Sequence, residues 1–486
     1  MENKDFSTKM KVIDDMLTDL YQQKLDLLAE QAEQEDKDKY VITPKKNTVA
    51  VKDTALRHFK SENKFLASAF QEELKSDSTG FLKNSQDLSI YADKIFSLNN
   101  KAKEDNAEEV YNATLGVLCD ENKQIYTFNC VYDSYNRLTS AQKAAYSQSI
   151  EGNKQYNQEV FKQINQLNNL KLPHQVIATA GGTGAIFLSL TSFLNDGEEI
   201  LLPQTAWSSY ALMSKYYNLQ SIFYKLVDDN NQVDLTDLML RSLQIIKKQH
   251  KLVVVINDPC QNPTGICLGE NNWKILIEYF NRLKEYGKVI IINDVAYIDY
   301  CYQQSHNYLQ YFNNIDDNIA VMIAYSCSKS LTSYGMRLGA NIIMHKEQKT
   351  VDEIYNSMIK ACRATWSNVN NAMMLTYVDL MNNNYAAYQR EKQAAVDLLK
   401  IRSTEFIKKA QQVQLPLFPY TAGFFVTVKI DDKDILDKYH QKLIDHHIYT
   451  VKSTGGIRIS ICSLTVDECK TLPEKMQKAL KECLNG

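Results

Sequence analysis

The 486-residue chain is predicted to fold as an α/β protein: a three-layer large domain on a mostly parallel sheet, with a smaller α+β domain. Three observations predict it. Short, almost wholly apolar runs recur through the middle of the chain: Val176-Ile-Ala-Thr-Ala180, Ile200-Leu-Leu202, Val253-Val-Val-Ile256, Val289-Ile-Ile-Ile292 and Ala320-Val-Met-Ile-Ala324. Strands apolar on both faces belong to a largely parallel sheet covered on both sides. Helical patterns over 184–194, 210–217 and 273–286 separate several of these runs. After about Met373 the pattern changes to long helices with a few scattered strand-like runs.

In order, residues 10–32 read as an amphipathic helix, with Met10, Ile13, Met16, Leu17, Leu20, Leu25 and Leu28 at helical spacing. A charged run over 33–39 reads as a solvated linker, and residues 56–74 as a second helix. Together they predict a helical N-terminal extension, 1–85, that carries no catalytic constellation. A helix is expected over 92–103. Val110-Tyr-Asn-Ala-Thr-Leu-Gly-Val-Leu118 reads as a strand, whose Gly116 lets a ligand approach the backbone. A helical stretch runs to about 169, and Asn341-Ile-Ile-Met344 adds another strand. One long helix is expected over 374–413, then strand 423–428, helix 433–446, strand 458–461 and a helix from 466. The small domain is assigned to 86–135 with 376–486, and the large domain to 136–375.

The net charge of −3 gives no reason to expect nucleic acid or an anionic membrane as partner. No apolar run approaches a membrane span, and the polar, acidic start lacks the pattern of a signal or transit peptide. The ten cysteines form no CxxC pair, which suits free thiols in a reducing compartment; a cytoplasmic protein is expected. The eight histidines show no HxxxH spacing, and no metal site is expected.

The chemistry centres on Ala324-Tyr-Ser-Cys-Ser-Lys-Ser-Leu-Thr-Ser-Tyr-Gly-Met-Arg337. Lys329 follows the strand, and a lysine desolvated at the mouth of a sheet becomes a nucleophilic amine. Ser326, Ser328 and Arg337 suit a phosphate. An amine beside a phosphate site suggests a phosphorylated aldehyde, of which pyridoxal 5'-phosphate is the common one.

Ligands of an open parallel sheet gather at the carboxyl ends of its strands, and other candidates stand there. Gly181-Gly-Thr-Gly184 joins a strand to a helix; the backbone around Gly182 and the Thr183 hydroxyl suit a phosphate, though a plain tight turn reads the same. Asn262, after Val253-Val-Val-Ile256, offers an amide to a phenolate oxygen, or marks an ordinary Asn-Pro turn. Asp294 closes Ile290-Ile-Ile-Asn-Asp294, with Tyr297 three residues on; a buried carboxylate there pairs with a pyridine nitrogen, or caps a helix. Trp207 offers a flat face, or is a core residue. Arg458, opening a strand in the last unit, suits a substrate carboxylate.

Gly181-Gly-Thr-Gly-Ala185, Asn262-Pro-Thr-Gly265, Asp294-x-x-Tyr297, Ser326-x-x-Lys329 and Arg337 occur in this order. Over residues 88–486 the chain thereby resembles the fold-type I, class I pyridoxal-phosphate aminotransferases, most closely aspartate aminotransferase and its aromatic-accepting relatives. The resemblance implies a covalent bond from Lys329 to the cofactor and phosphate contacts from Gly182, Thr183, Ser326 and Arg337. It implies Asn262 and Tyr297 at the phenolate oxygen, Asp294 at the ring nitrogen, Trp207 on the ring face and Arg458 on the α-carboxylate. It also implies a homodimer. Tyr146 resembles the tyrosine that reaches the neighbour's phosphate. Arg363-Ala-Thr-Trp-Ser-Asn368 resembles the segment carrying the neighbour's side-chain arginine and a further phosphate serine, Ser367. Where the family has Pro-Pro after Ser-Asn, this chain has Val369-Asn370, and Gly181 stands where serine is common.

The activity so implied is transfer of an amino group between an amino acid (dicarboxylic such as aspartate, or aromatic) and a 2-oxo acid such as 2-oxoglutarate. The alternatives are a lyase or decarboxylase using the same cofactor on the same fold, and a non-enzymatic regulatory module.

Overall fold

The computed structural model describes residues 93–302 and 305–485. The predicted helical extension over 1–85 lies outside the described residues.

The described residues form twelve strands: β1 Tyr111–Asn112, β2 His174–Ala180, β3 Glu199–Pro203, β4 Gln220–Tyr224, β5 Lys251–Asn257, β6 Lys288–Asp294, β7 Ile319–Ser326, β8 Leu338–Met344, β9 Phe425–Lys429, β10 Ile448–Tyr449, β11 Val451–Ser453 and β12 Gly456–Ser460. Seven make one sheet in the order β2-β8-β7-β6-β5-β3-β4. β4, β3, β5, β6 and β7 pair in parallel, while β8 is antiparallel to both its neighbours, β7 and β2. The sheet is therefore mostly parallel, as predicted, with β8 alone running against the rest.

β7 is buried at every residue, and β6 at all but its first. On one face Val253, Val255, Ile290, Ile292, Met322 and Ala324 join a core with Ala185, Ile186, Leu188, Met358 and Cys362. These last residues come from the helices Gly181–Thr191 and Gln348–Thr365. The alternate strand residues Val254, Ile256, Ile291, Val321 and Ile323 are buried too. Both faces are covered, which is why these strands carry no polar alternation.

A second sheet, β11-β12-β9, is antiparallel throughout. The helix Tyr385–Val413 packs on the last helix, Val466–Asn485. The segment 111–121 is bound to this part. β1 pairs in parallel with β10, and the fully buried Arg402 donates to the carbonyls of Cys119 (2.9 Å) and Cys462 (2.8 Å) and pairs with Glu121.

Three expectations are corrected. The strand expected over 110–118 is reduced to Tyr111–Asn112, because the following chain turns into the site described below. The single helix expected over 374–413 is two, Asn371–Asn383 and Tyr385–Val413, broken at Asn384 (φ −133°, ψ 16°) in an asparagine run of low helix propensity. The helix after β2 starts at Gly181 rather than Gly184, so the glycines form its first turn.

Candidate active site

The topology sets where the motifs meet. The carboxyl ends of β2, β3, β5, β6 and β7 lie along one edge of the sheet. Because β8 runs the other way, its amino end lies on that same edge: Leu338 is opposite Ala180, and Gly339 opposite Ser326. Arg337, which precedes β8, thus reaches the place where the other motifs end.

A cavity of about 370 Å³ opens at this edge. Its walls bring together Gly116, Gly182, Thr183, Trp207, Asn262, Asp294, Tyr297, Ser326, Ser328, Lys329, Arg337 and Arg458. Tyr146 and Arg363 are not among its lining residues.

Lys329 lies in the short helix Cys327–Ser330 after β7, and its Nζ donates to the Gly116 carbonyl at 2.8 Å. The ammonium lies 4.7 Å from the Tyr334 ring centroid and 5.7 Å from that of Tyr297. Burial lowers its pKa from 10.5 to about 8; Cys462 and Asp294 oppose the shift, and the positive Arg458 and Arg337 add to it.

Asp294, at the end of β6, is 6% exposed. Its Oδ2 accepts from the Tyr210 hydroxyl at 2.5 Å and its Oδ1 from the Ala296 N–H at 3.0 Å. Desolvation raises its pKa, while these two donors and Lys329 pull the other way. Asn257, in register with it on β5, donates through Nδ2 to the Asp294 carbonyl at 3.0 Å and accepts the Asn262 N–H at 2.7 Å. The Asn262 turn is thereby fixed to the end of β6. Tyr297 packs beside Phe424 and Phe425, and burial raises its phenol pKa well above the ordinary value. Trp207 meets Tyr210 edge-on, with ring centroids 5.4 Å apart.

Part of the cavity wall, around Gly182, Thr183, Ser328 and Arg337, is rich in donors. The helix Gly181–Thr191 has no side-chain cap, so its first N–H groups are free to face an anion. Arg337, in a left-handed conformation (φ 53°), donates to the Ser328 hydroxyl at 3.0 Å and the Tyr334 carbonyl at 2.9 Å. Gly181 has φ +71°, and a Cβ there would collide with the Arg337 guanidinium. That contact accounts for glycine at this position.

Arg458, on β12, is 5% exposed. It donates through Nη2 to the Thr114 carbonyl and lies over the Phe425 ring, 4.6 Å from its centroid. Its buried Nε has no hydrogen-bond partner among the described residues. Desolvation draws its pKa down to about 10 from 12.5. A desolvated guanidinium with an unused donor is a site for a carboxylate.

Tyr146 and Arg363 stand elsewhere. Tyr146 is 88% exposed. Arg363 is exposed, and its Nη1 donates to the Ser367 hydroxyl at 2.7 Å. Their segments touch: the Ser147 N–H donates to Asn368 Oδ1 at 3.0 Å, and Asn368 Nδ2 to the Ser149 carbonyl at 3.3 Å.

Sequence reasoning missed Tyr210, Asn257 and Tyr334. Asn257 is the polar end of an apolar strand, a signal that was present; Tyr210, three residues after Trp207, reads like any core tyrosine. Tyr334 lies inside the lysine stretch, where its hydroxyl accepts the Leu118 N–H at 2.8 Å.

An α/β sheet of this order, with a desolvated lysine, a buried carboxylate and an anion cradle at one edge, defines the class. The chain belongs to the class I and II aminotransferase family, which matches residues 108–476. An aminotransferase structure from Anaerococcus prevotii superposes with a TM-score of 0.79 at 26% identity, covering 82% of this chain and 99% of that one. An aromatic-amino-acid aminotransferase from Burkholderia pseudomallei, described as covalently bound to pyridoxal phosphate, superposes with a TM-score of 0.66 at 19% identity. It is covered to 100%, and this chain to 82%. The mitochondrial aspartate aminotransferase of Gallus gallus is 21% identical over 299 residues, 57% of this chain and 66% of that protein. The chain spans 39% to 66% of the length of this and two other curated aspartate aminotransferase relatives.

Proposed function

We propose that this chain is a pyridoxal 5'-phosphate-dependent aminotransferase. It moves an amino group between an amino acid, dicarboxylic such as aspartate or aromatic, and a 2-oxo acid such as 2-oxoglutarate. The observation that carries the reading is one cavity holding Lys329 with a pKa lowered to about 8, the buried Asp294 and the orphaned Nε of Arg458.

The donor set fits the cofactor. Gly182, Thr183, Ser326 and Arg337 would hold its phosphate, Asn262 and Tyr297 its phenolate oxygen, and Asp294 its ring nitrogen, with Trp207 on the ring face. When bound, the group supplies an electron sink for the carbanion left when the substrate's α-proton is removed. Asp294 would pair with the ring nitrogen and favour its cationic form. Lys329 moves the proton at its Nζ, and its lowered pKa keeps a usable neutral fraction near pH 7. Arg458 orients the substrate by its α-carboxylate, and Gly116 offers its carbonyl at the cavity wall.

The proposal includes a homodimer in which Tyr146, Ser367 and Arg363 act in the neighbour's cavity. The exposure of Tyr146 and Arg363, the absence of all three from the cavity walls of their own chain and the contact between their segments support it. Residues 86–135 with 376–486 are proposed as the small domain, and 136–375 as the large one. A cytoplasmic location is proposed on the ten free thiols. No helix among the described residues is long and apolar enough to cross a membrane.

The test is a panel of single amino acids with the cofactor-loaded protein, with and without 2-oxoglutarate. We expect glutamate to form in step with consumption of the amino donor, and only when the oxo acid is added. Steady release of ammonia or carbon dioxide without an oxo acid would overturn the reading in favour of a lyase or decarboxylase.

A further inference from the structure

Three thiols meet behind the Asn262 turn. Cys260 and Cys267 flank Gln261-Asn-Pro-Thr-Gly-Ile266, and Cys301 follows the short turn after β6. The Cys267 sulfur lies 3.9 Å from that of Cys260 and 3.7 Å from that of Cys301. All three sulfurs lie within 4.8 Å of one another. The loop that presents the first two is closed on itself. Gln261 N–H donates to the Ile266 carbonyl at 2.9 Å, and Gly265 N–H to the Gln261 carbonyl at 2.7 Å. The Cys260 N–H donates to the Cys267 sulfur at 3.3 Å, the kind of bond that steadies negative charge on sulfur.

We infer that Cys260, Cys267 and Cys301 form a sulfur-only site for a thiophilic d10 cation, Cu(I) or Zn(II). Metal–sulfur bonds of about 2.3 Å hold the sulfurs of one ion roughly 3.8–4.0 Å apart, in tetrahedral or trigonal arrangement. Two of the three separations already lie near that value, and the third closes with a shift of under about 1 Å. Soft thiolates select these cations over hard ones. Binding Zn(II) to three thiols releases three protons and leaves one negative charge on the site. Cu(I) with two thiolates and one remaining thiol releases two protons and leaves the same charge. The ion would tie the two ends of the Asn262 turn to the segment after β6, so its occupancy would stiffen one wall of the cavity without touching the cavity itself.

The test is metal retention, which does not depend on transaminase activity. Reduced, cofactor-loaded protein is incubated anaerobically with Cu(I), and separately with Zn(II). It is then passed over a chelating resin and assayed for metal per chain. Wild type and the Cys362→Ser control should retain about one equivalent of at least one of the two ions. Cys267→Ser should retain none above background. Should Cys267→Ser fail to fold, Cys301→Ala takes its place with the same expected loss. Retention of neither ion by the wild type, or retention equal to wild type by folded Cys267→Ser or Cys301→Ala, overturns the site.

Discussion

The amine of Lys329 should titrate far below an ordinary lysine, and its labelling can measure this. Burial, with Arg458 and Arg337 adding positive charge, holds the pKa at about 8 rather than 10.5. At pH 7 an ordinary lysine is neutral in about one molecule in 3000, whereas a pKa of about 8 makes roughly one in ten neutral. The reactive amine is thus about 300-fold enriched. The assay takes cofactor-free protein over pH 6 to about 10. It adds limiting pyridoxal 5'-phosphate, quenches with borohydride and quantifies the labelled peptide. The initial rate of labelling at Lys329 should climb to about pH 8 and then level off. A rate still climbing above about pH 10, or label spread over surface lysines, would refute the reasoning.

The same shift has a consequence for stability. The folded pKa lies below the unfolded one, so between about pH 8 and 10.5 the folded state binds fewer protons. Cofactor-free protein therefore gains stability from this group as pH rises through that window. Below it the folded state carries the full penalty of a desolvated ammonium, roughly 3 kcal/mol. Lys329→Met removes the penalty, so its Tm gain over wild type should be larger at pH 7 than at pH 10. Equal gains at both would place the ammonium in a wetter setting than the structure gives it.

Two further predictions follow from the contacts. Tyr210→Phe removes one of the two hydrogen bonds recorded at the Asp294 carboxylate, worth about 1.5–3 kcal/mol to a charged acceptor. The carboxyl pKa then rises, so the acid limb of the kcat/KM profile should move up by about one to two pH units; an unmoved limb would remove Tyr210 from that role. Arg363→Ala should lower kcat/KM for aspartate far more than for phenylalanine or tyrosine, because only a dicarboxylate loses a charge partner, at several kcal/mol. An equal loss for all substrates, or none for aspartate, would sink the assignment of Arg363.

The central sheet was legible because its strands are apolar on both faces, a pattern that a solvent-facing sheet cannot tolerate. β4 was not read. Gln220-Ser-Ile-Phe-Tyr224 forms the edge of the sheet, and its mixed exposure leaves no continuous apolar run. The reversed direction of β8 was equally invisible, since antiparallel and parallel central strands share the same composition when both faces are buried. In the site, residues at strand ends were found because position relative to an apolar run is a local signal. Tyr210 and Tyr334 act through contacts that helix turns and a short 3-10 turn create, and nothing local distinguishes them from core tyrosines.

The departure at Val369-Asn370 bears on the residues proposed to act across a dimer. A pair of prolines at this point would stiffen the chain before the next helix. Here Asn370 does related work by another route: its Oδ1 accepts the Met373 N–H at 3.2 Å and caps the helix Asn371–Asn383. Ser367 just before it takes a left-handed conformation (φ +63°) and accepts from Arg363, while Asn368 is bound to Ser147 and Ser149. The segment is therefore held at its start, middle and end without prolines. Arg363 and Tyr146, far apart in sequence, are carried by two segments fastened to each other by the Asn368 side chain. Asn368→Ala should accordingly disturb both proposed cross-subunit contacts together. An independent loss of one without the other would argue that the two residues serve separate surfaces.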